Sequence, residues 1–157
     1  MTLHITTADY EALRQHAEQA YPDECCGALL GKIVAGERHV HLIVPCQNTR
    51  VGELSKRYEI DPAELVRVQR EARESGMEIV GFYHSHPDHP AQPSPTDLEH
   101  AHWIGYSYVI ISVKRGQAAE TRSFLLSGLQ EEDKSFTEED LSIGRLGPAN
   151  DKLSADG

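Results

Sequence analysis

The sequence predicts a single mixed α/β domain, and three observations carry that reading. Its 157 residues are one domain's worth of chain. Hydrophobic residues make up 39% and charged residues 25%, the balance of an ordinary globular protein with enough apolar material for a core. Apolar runs of strand length alternate with segments of helical periodicity, as expected when strands and helices pack in one domain.

Thr6 or Thr7 precedes Tyr10, Leu13, Ala17 and Ala20, which recur at helical spacing with Asp9 and Glu11 in the first turn, so a helix is expected from here to about Pro22. Ala28 to Val34 and His39 to Val44 are apolar runs on either side of Ala35-Gly36-Glu37 and read as a hairpin. Arg57-Tyr58-Glu59-Ile60 is a short strand candidate. Asp61, Pro62 and Glu64 then supply an N-cap, an N1 proline and an N3 acid; the helix they open has Leu65, Val68 and Ala72 as its apolar face and Gly76 as its stop. Ile79 to Tyr83 is a strand that runs directly into His84-Ser85-His86-Pro87. Pro87, Pro90, Pro93 and Pro95 stiffen the loop that follows, and Ser94-Pro95-Thr96-Asp97 repeats the cap pattern at the start of a third helix. Tyr106 to Val113 and Glu120 to Leu126 complete the strands. Phe136, Leu141 and Ile143 are the last anchors, which sets the domain at residues 1–143 and leaves 144–157 as a flexible C-terminal tail.

With 15 Lys+Arg against 25 Asp+Glu, the formal charge is −10 with histidine neutral. Lys56-Arg57 and Lys114-Arg115 are isolated basic pairs, so nothing offsets repulsion from a phosphate backbone, and nucleic-acid binding is not expected. The start, Met1-Thr2-Leu3-His4-Ile5, has neither a basic nor an apolar targeting segment, and no window approaches the ~18 apolar residues of a membrane span; a cytoplasmic protein without membrane contact is expected. The 3 cysteines, Cys25, Cys26 and Cys46, do not make a disulfide scaffold, and the adjacent pair before Gly27 reads as packing.

Chemistry concentrates after the fourth strand. Side chains alternate along a strand, so His84 and His86 project from one face. The ten residues between His86 and Asp97, four of them proline, can curl back to bring the Asp97 carboxylate to the same point. Two histidines and one carboxylate leave a fourth tetrahedral position open, the arrangement of a catalytic rather than a structural zinc, although iron or cobalt suits the same donors. Hydrolysis at such a site needs a base, and Glu24, at a helix-to-strand junction in an apolar context, is the candidate.

Glu24 within P-x-E-x-C-G-x-L-x-G, followed by H-S-H-P-x(6)-S-x-x-D at His84, His86, Ser94 and Asp97, resembles the JAMM (MPN+) zinc metallopeptidase motif, in its compact stand-alone prokaryotic form. The resemblance covers roughly residues 5–143, including Arg57-Tyr58-Glu59-Ile60-Asp61-Pro62. It implies a deaminase-like α/β fold with a curved, mostly antiparallel sheet flanked by helices. It also implies one Zn2+ held by His84, His86 and Asp97, Glu24 as general base, and Ser94 holding the developing oxyanion. The implied substrate is the C-terminal tail of a small ubiquitin-like or sulfur-carrier protein, cleaved at a peptide or isopeptide bond or relieved of an attached cysteine, with the tail adding to an exposed sheet edge. A homodimer is compatible with all of this.

Four alternatives stand beside that reading, one of them a redox-sensing protein that uses Cys25, Cys26 and Cys46. One is a general deubiquitinase-like isopeptidase and another a non-catalytic MPN-type binding module, which would not need the complete ligand set found here. A zinc deaminase would need P-C-x-x-C, which does not occur. Of the other histidines, His100 is three residues from Asp97 and within reach of supporting it, His102 belongs to the surface, His39 and His41 read as a solvated strand face, and His89 rims the site.

Overall fold

The computed structural model describes residues 1–48 and 60–144. In chain order it contains β1 (Thr2–Thr6), α1 (Thr7–Ala20), β2 (Cys26–Val34), β3 (Glu37–Cys46), α2 (Pro62–Glu74), β4 (Glu78–Pro87), α3 (Pro95–His100), β5 (Ser107–Lys114), β6 (Gln117–Ser127), a 3-10 turn at Glu131–Asp133 and β7 (Ser135–Gly144).

Local chemistry sets the boundaries. The Thr6 hydroxyl accepts the Asp9 N–H and caps α1. Ala35 and Gly36 both have positive φ (53° and 81°), the backbone of a tight hairpin turn whose twist matches its strands. Asp61 accepts the Ala63 N–H at the start of α2. At its end, Met77 N–H reaches the Ala72 carbonyl and Gly76 N–H that of Arg73, with Gly76 left-handed at φ 70°. Val68 and Ala72 are buried and Leu65 packs beside them, as the helical spacing requires. Residues 57–59 of the third strand candidate, and positions 145–157 of the expected tail, lie outside the described residues; Ile60 forms an isolated antiparallel bridge with Asn48.

The strands run in the order β1-β3-β2-β4-β5-β6-β7, and β7 pairs with β1 to close the barrel. The fold is α/β and mostly antiparallel, with parallel pairing at β1·β3, β1·β7 and β4·β5. Closure corrects the expectation of a curved sheet that stays open. It depends on two strands that the sequence reading left unassigned, β1 and β7. β7 is hard to recognise because its inward position carries Glu139 instead of a hydrophobe; the hydroxyls of Ser107 and Ser123 both donate to its Oε2, at 2.6 and 2.7 Å. With each strand flanked by two others, the described residues offer no outer strand to which a substrate tail could add. Closure also buries His39, stacked on His4 with ring centroids 4.5 Å apart, so His39 is not the solvated residue expected.

One core joins Leu13 and Ala17 of α1 to Leu3, Leu29, Val40, Tyr83 and Ile111, and a second joins α2 to Ala28, Leu30, Phe82 and Leu126. β4 contributes to both, since Tyr83 and Phe82 face opposite sides. No helix among the described residues is long and apolar enough to cross a membrane.

β4 and β5 approach closely at Gly81, opposite Ser107, where an added Cβ would sit 2.3 Å from the Ser107 carbonyl oxygen. Gly81→Ala is therefore expected to destabilise the fold by about 1–3 kcal/mol, lowering the melting temperature by several degrees. Thermal denaturation checks this, and an unchanged transition would contradict the tight register.

Candidate metal centre

β4 ends as anticipated, with His84 and His86 on one face, ring centroids 4.9 Å apart and Nε2 atoms 3.1 Å apart, both residues buried. The chain then turns through Asp88, which is left-handed at φ 57°. Asp88 is tied down by the Tyr21 hydroxyl at 2.7 Å and the Arg115 N–H at 2.9 Å. The Ser112 hydroxyl donates to the His89 carbonyl at 2.6 Å, and Ala91 is fully buried against Ile110 and Phe124. The loop is thus pinned by packing and hydrogen bonds as well as stiffened by its prolines.

Its far end opens α3 with a reciprocal cap: Asp97 N–H donates to Ser94 Oγ at 3.0 Å and Ser94 N–H to Asp97 Oδ2 at 2.8 Å. The same carboxylate places Oδ1 3.3 Å from His84 Nε2 and Oδ2 3.0 Å from His86 Nε2. Three ligand atoms therefore converge from one strand and one helix start. His86 Nδ1 lies 2.9 Å from the Pro90 carbonyl, which can only accept, so Nδ1 carries a proton; Nε2, which here donates to Asp97, is the nitrogen whose lone pair a metal would take up once that proton leaves. That tautomer, with a carbonyl behind the ring, is the one a metal-ligating histidine adopts. Two imidazole nitrogens and a carboxylate oxygen fit zinc in a site with one position to spare.

The electrostatics follow from burial and contact. Burial opposes ionisation of Asp97, but its hydrogen bonds to His84 and His86 outweigh this and hold it well below the usual carboxylate range. His84 is lowered by burial; His86 feels the same penalty, yet its hydrogen bond to Asp97 raises it. Glu24 is only 5% exposed, and burial pushes its carboxyl up to about 8 against the opposing influence of His86. It lines, with His86, His89, Ser94 and Asp97, a cavity of about 470 Å³. His89 is exposed at that rim, as expected.

Register explains how Glu24 arrives there. Cys26 pairs with His84, and just beyond the ladder Cys25 N–H donates to Ser85 Oγ at 2.8 Å while Ser85 N–H donates to the Cys25 carbonyl at 3.1 Å. Ser85 was not singled out by sequence reasoning; its place between the two histidines, on the opposite face of the strand, was the available signal. His100 departs from expectation: it is exposed and lines a different cavity with Phe82, Trp103 and Tyr108, so it does not support Asp97. His102 is exposed and 3.5 Å from Glu131. The cysteines are free and buried, and burial raises the thiols of Cys25 and Cys46 to about 11, which removes the thiolate a nucleophile or redox sensor would use.

Residues 6–127 match the family model for prokaryotic homologs of the JAB domain. The chain is 41% identical over 99 residues to a desampylase of Haloferax volcanii, covering 63% of this chain and 69% of that protein. It is 31% identical over 131 residues to a probable TtuB-protein conjugate cleaving protease of Thermus thermophilus, covering 83% and 80%. A CysO-cysteine peptidase of Mycobacterium tuberculosis is 30% identical over 134 residues, covering 84% of each chain. A solution structure from Desulfitobacterium hafniense superposes with a TM-score of 0.79 at 29% identity, covering 94% of this chain and 96% of that one. A JAB1/MPN domain protein from Archaeoglobus fulgidus shares the fold, with a TM-score of 0.54 at 17% identity over 90% and 99% of the two chains.

A carboxyl raised from 4.5 to about 8 contributes stability that is present below pH 4.5 and lost as pH rises through about 8. In metal-stripped protein, Glu24→Gln is therefore expected to melt with the parent near pH 4.5 and progressively above it toward pH 8. Paired thermal melts across that range check this; parallel curves would show that Glu24 ionises freely in the fold.

Proposed function

This chain belongs to the prokaryotic JAB family and is a hydrolase of the JAMM type, and we propose that it uses one zinc ion to cleave the C-terminal tail of a small ubiquitin-like or sulfur-carrier protein from an attached amine. The observation that carries the reading is the convergence of His84, His86 and Asp97, with a buried Glu24 lining the same cavity as His86 and Asp97. Zinc, when bound there, supplies Lewis acidity that lowers the pKa of water and polarises the scissile carbonyl.

The chain's own residues do the rest. Glu24 takes a proton from the attacking water onto its carboxylate and later gives it to the leaving nitrogen; the burial that raises its proton affinity suits it to hold the proton between the two transfers. Ser94 accepts from Asp97 N–H through a lone pair, which leaves its O–H to donate to the tetrahedral oxyanion. Capping and catalysis are thus compatible on one hydroxyl. His84, His86 and Asp97 hold the metal through rigid elements instead of a mobile loop. The substrate tail enters the cavity of Glu24, His89 and Gln92 directly, since the barrel is closed. The relatives named as a desampylase, a TtuB-protein conjugate cleaving protease and a CysO-cysteine peptidase support the substrate class. A carrier–cysteine adduct is the leading candidate and a ubiquitin-type isopeptide the second.

Incubating zinc-loaded protein with a carrier–cysteine conjugate and with a ubiquitin isopeptide dimer, and reading the product masses, should show release of cysteine with the dimer largely intact; the opposite pattern would reverse the ranking. Glu24→Gln is expected to retain zinc and lose about 10²–10⁴-fold in turnover. Ser94→Ala should lose about 10²-fold in kcat along with roughly 1 kcal/mol of stability. A lower melting temperature with unchanged kcat would leave Ser94 a cap alone.

A further inference from the structure

We infer that Asn48 is a positioning residue for the Glu24 carboxylate, clamping the peptide group from which that side chain projects; the inference rests on the proposed role of Glu24 as base. β2 begins only at Cys26, so the peptide joining Glu24 to Cys25 lies just outside the ladder. Both polar ends of this one planar group are held by side chains. Asn48 Nδ2 donates to the Glu24 carbonyl at 3.1 Å, and the Cys25 N–H donates to Ser85 Oγ at 2.8 Å. One clamp comes from the exit of β3 and the other from the end of β4, so two separate strands fix the orientation of the plane.

Among the described residues the Glu24 carboxylate has no hydrogen bond of its own, so its aim is inherited from this backbone. The donor is itself well placed. Cys26 pairs with Cys46 across the antiparallel hairpin, which sets residue 48 opposite residue 24 by continuation of the register. An antiparallel bridge to Ile60 holds the Asn48 backbone from the other side. The residue type matters: an aspartate in this position would set a carboxylate oxygen against the carbonyl oxygen, whereas the amide donates. Rotation of the clamped peptide would swing the Glu24 side chain within the cavity it shares with His86 and Asp97. Misplacement by about 1 Å is enough to cost on the order of 10²-fold in rate.

The test compares Asn48→Asp and Asn48→Ala with the parent, all zinc-loaded and assayed well below their melting temperatures, for kcat, KM, zinc content and melting. Expected is a fall in kcat of about 10- to 100-fold with KM within about twofold and zinc content unchanged, the isosteric Asp variant being at least as impaired as Ala. In a Glu24→Gln background, Asn48→Ala should lower the residual rate no further. Parental kcat per zinc-loaded molecule in either variant, a change in KM alone, or an additive loss in the double variant would overturn the inference. Should Asn48→Asp not fold, Asn48→Ala carries the comparison. If Glu24→Gln kept full turnover, the base role itself would fail; an inactive Glu24→Gln with a fully active Asn48→Ala would remove only the clamp.

Discussion

The Asp97 carboxylate satisfies two structural demands with one group. Its Oδ2 accepts the Ser94 N–H and completes the cap of α3, while the two oxygens face the Nε2 atoms of His84 and His86 at 3.3 and 3.0 Å. A helix of six residues has little stability of its own. Its start is fixed by this cap and by the pinned loop before it, so the ligand geometry and the helix start stand or fall together. Burial would drive the carboxyl toward its neutral form, and the hydrogen bonds to the two histidines prevent this, leaving an anion matched to a cation.

Everything else positions partners for that carboxylate. β4 lies inside the barrel with β2 on one side and β5 on the other, and its last turn of register brings Glu24 beside the histidines. The closed barrel gives the site a rigid frame, and the Pro90 carbonyl selects the tautomer of His86. In the proposed reaction, groups held this way need little reorganisation as charge develops. In the proposed reaction Ser94 serves both purposes, its lone pair capping the helix and its O–H left to donate to substrate.

Much of the site was legible because local chemistry writes it. The alternation that puts His84 and His86 on one face, the caps at Asp61 and Ser94, and the apolar face of α2 all follow from short-range rules, and each is present. What escaped was non-local. β1 is five residues long, and β7 hides its inward pattern behind Glu139, whose burial makes sense only beside Ser107 and Ser123 from two other strands. Without those strands the barrel cannot be seen to close, and so His39 looked solvated and an open sheet edge looked available. His100 was misplaced for a related reason: three residues along α3 carry it away from the metal centre to the groove of Phe82 and Trp103. The clamps on the Glu24 peptide were invisible for the same cause, since Asn48 and Ser85 reach it only through the hairpin register and the β2·β4 ladder.

Two histidines and the capping carboxylate together make a site that could hold a metal with one position open. X-ray absorption at the zinc edge of the zinc-loaded protein tests it most directly. Expected are nitrogen and oxygen neighbours alone at about 2.0–2.1 Å, with imidazole outer shells and a loss of one oxygen or of the metal itself in Asp97→Ala. Sulfur at about 2.3 Å, or a spectrum unchanged by Asp97→Ala, would contradict it.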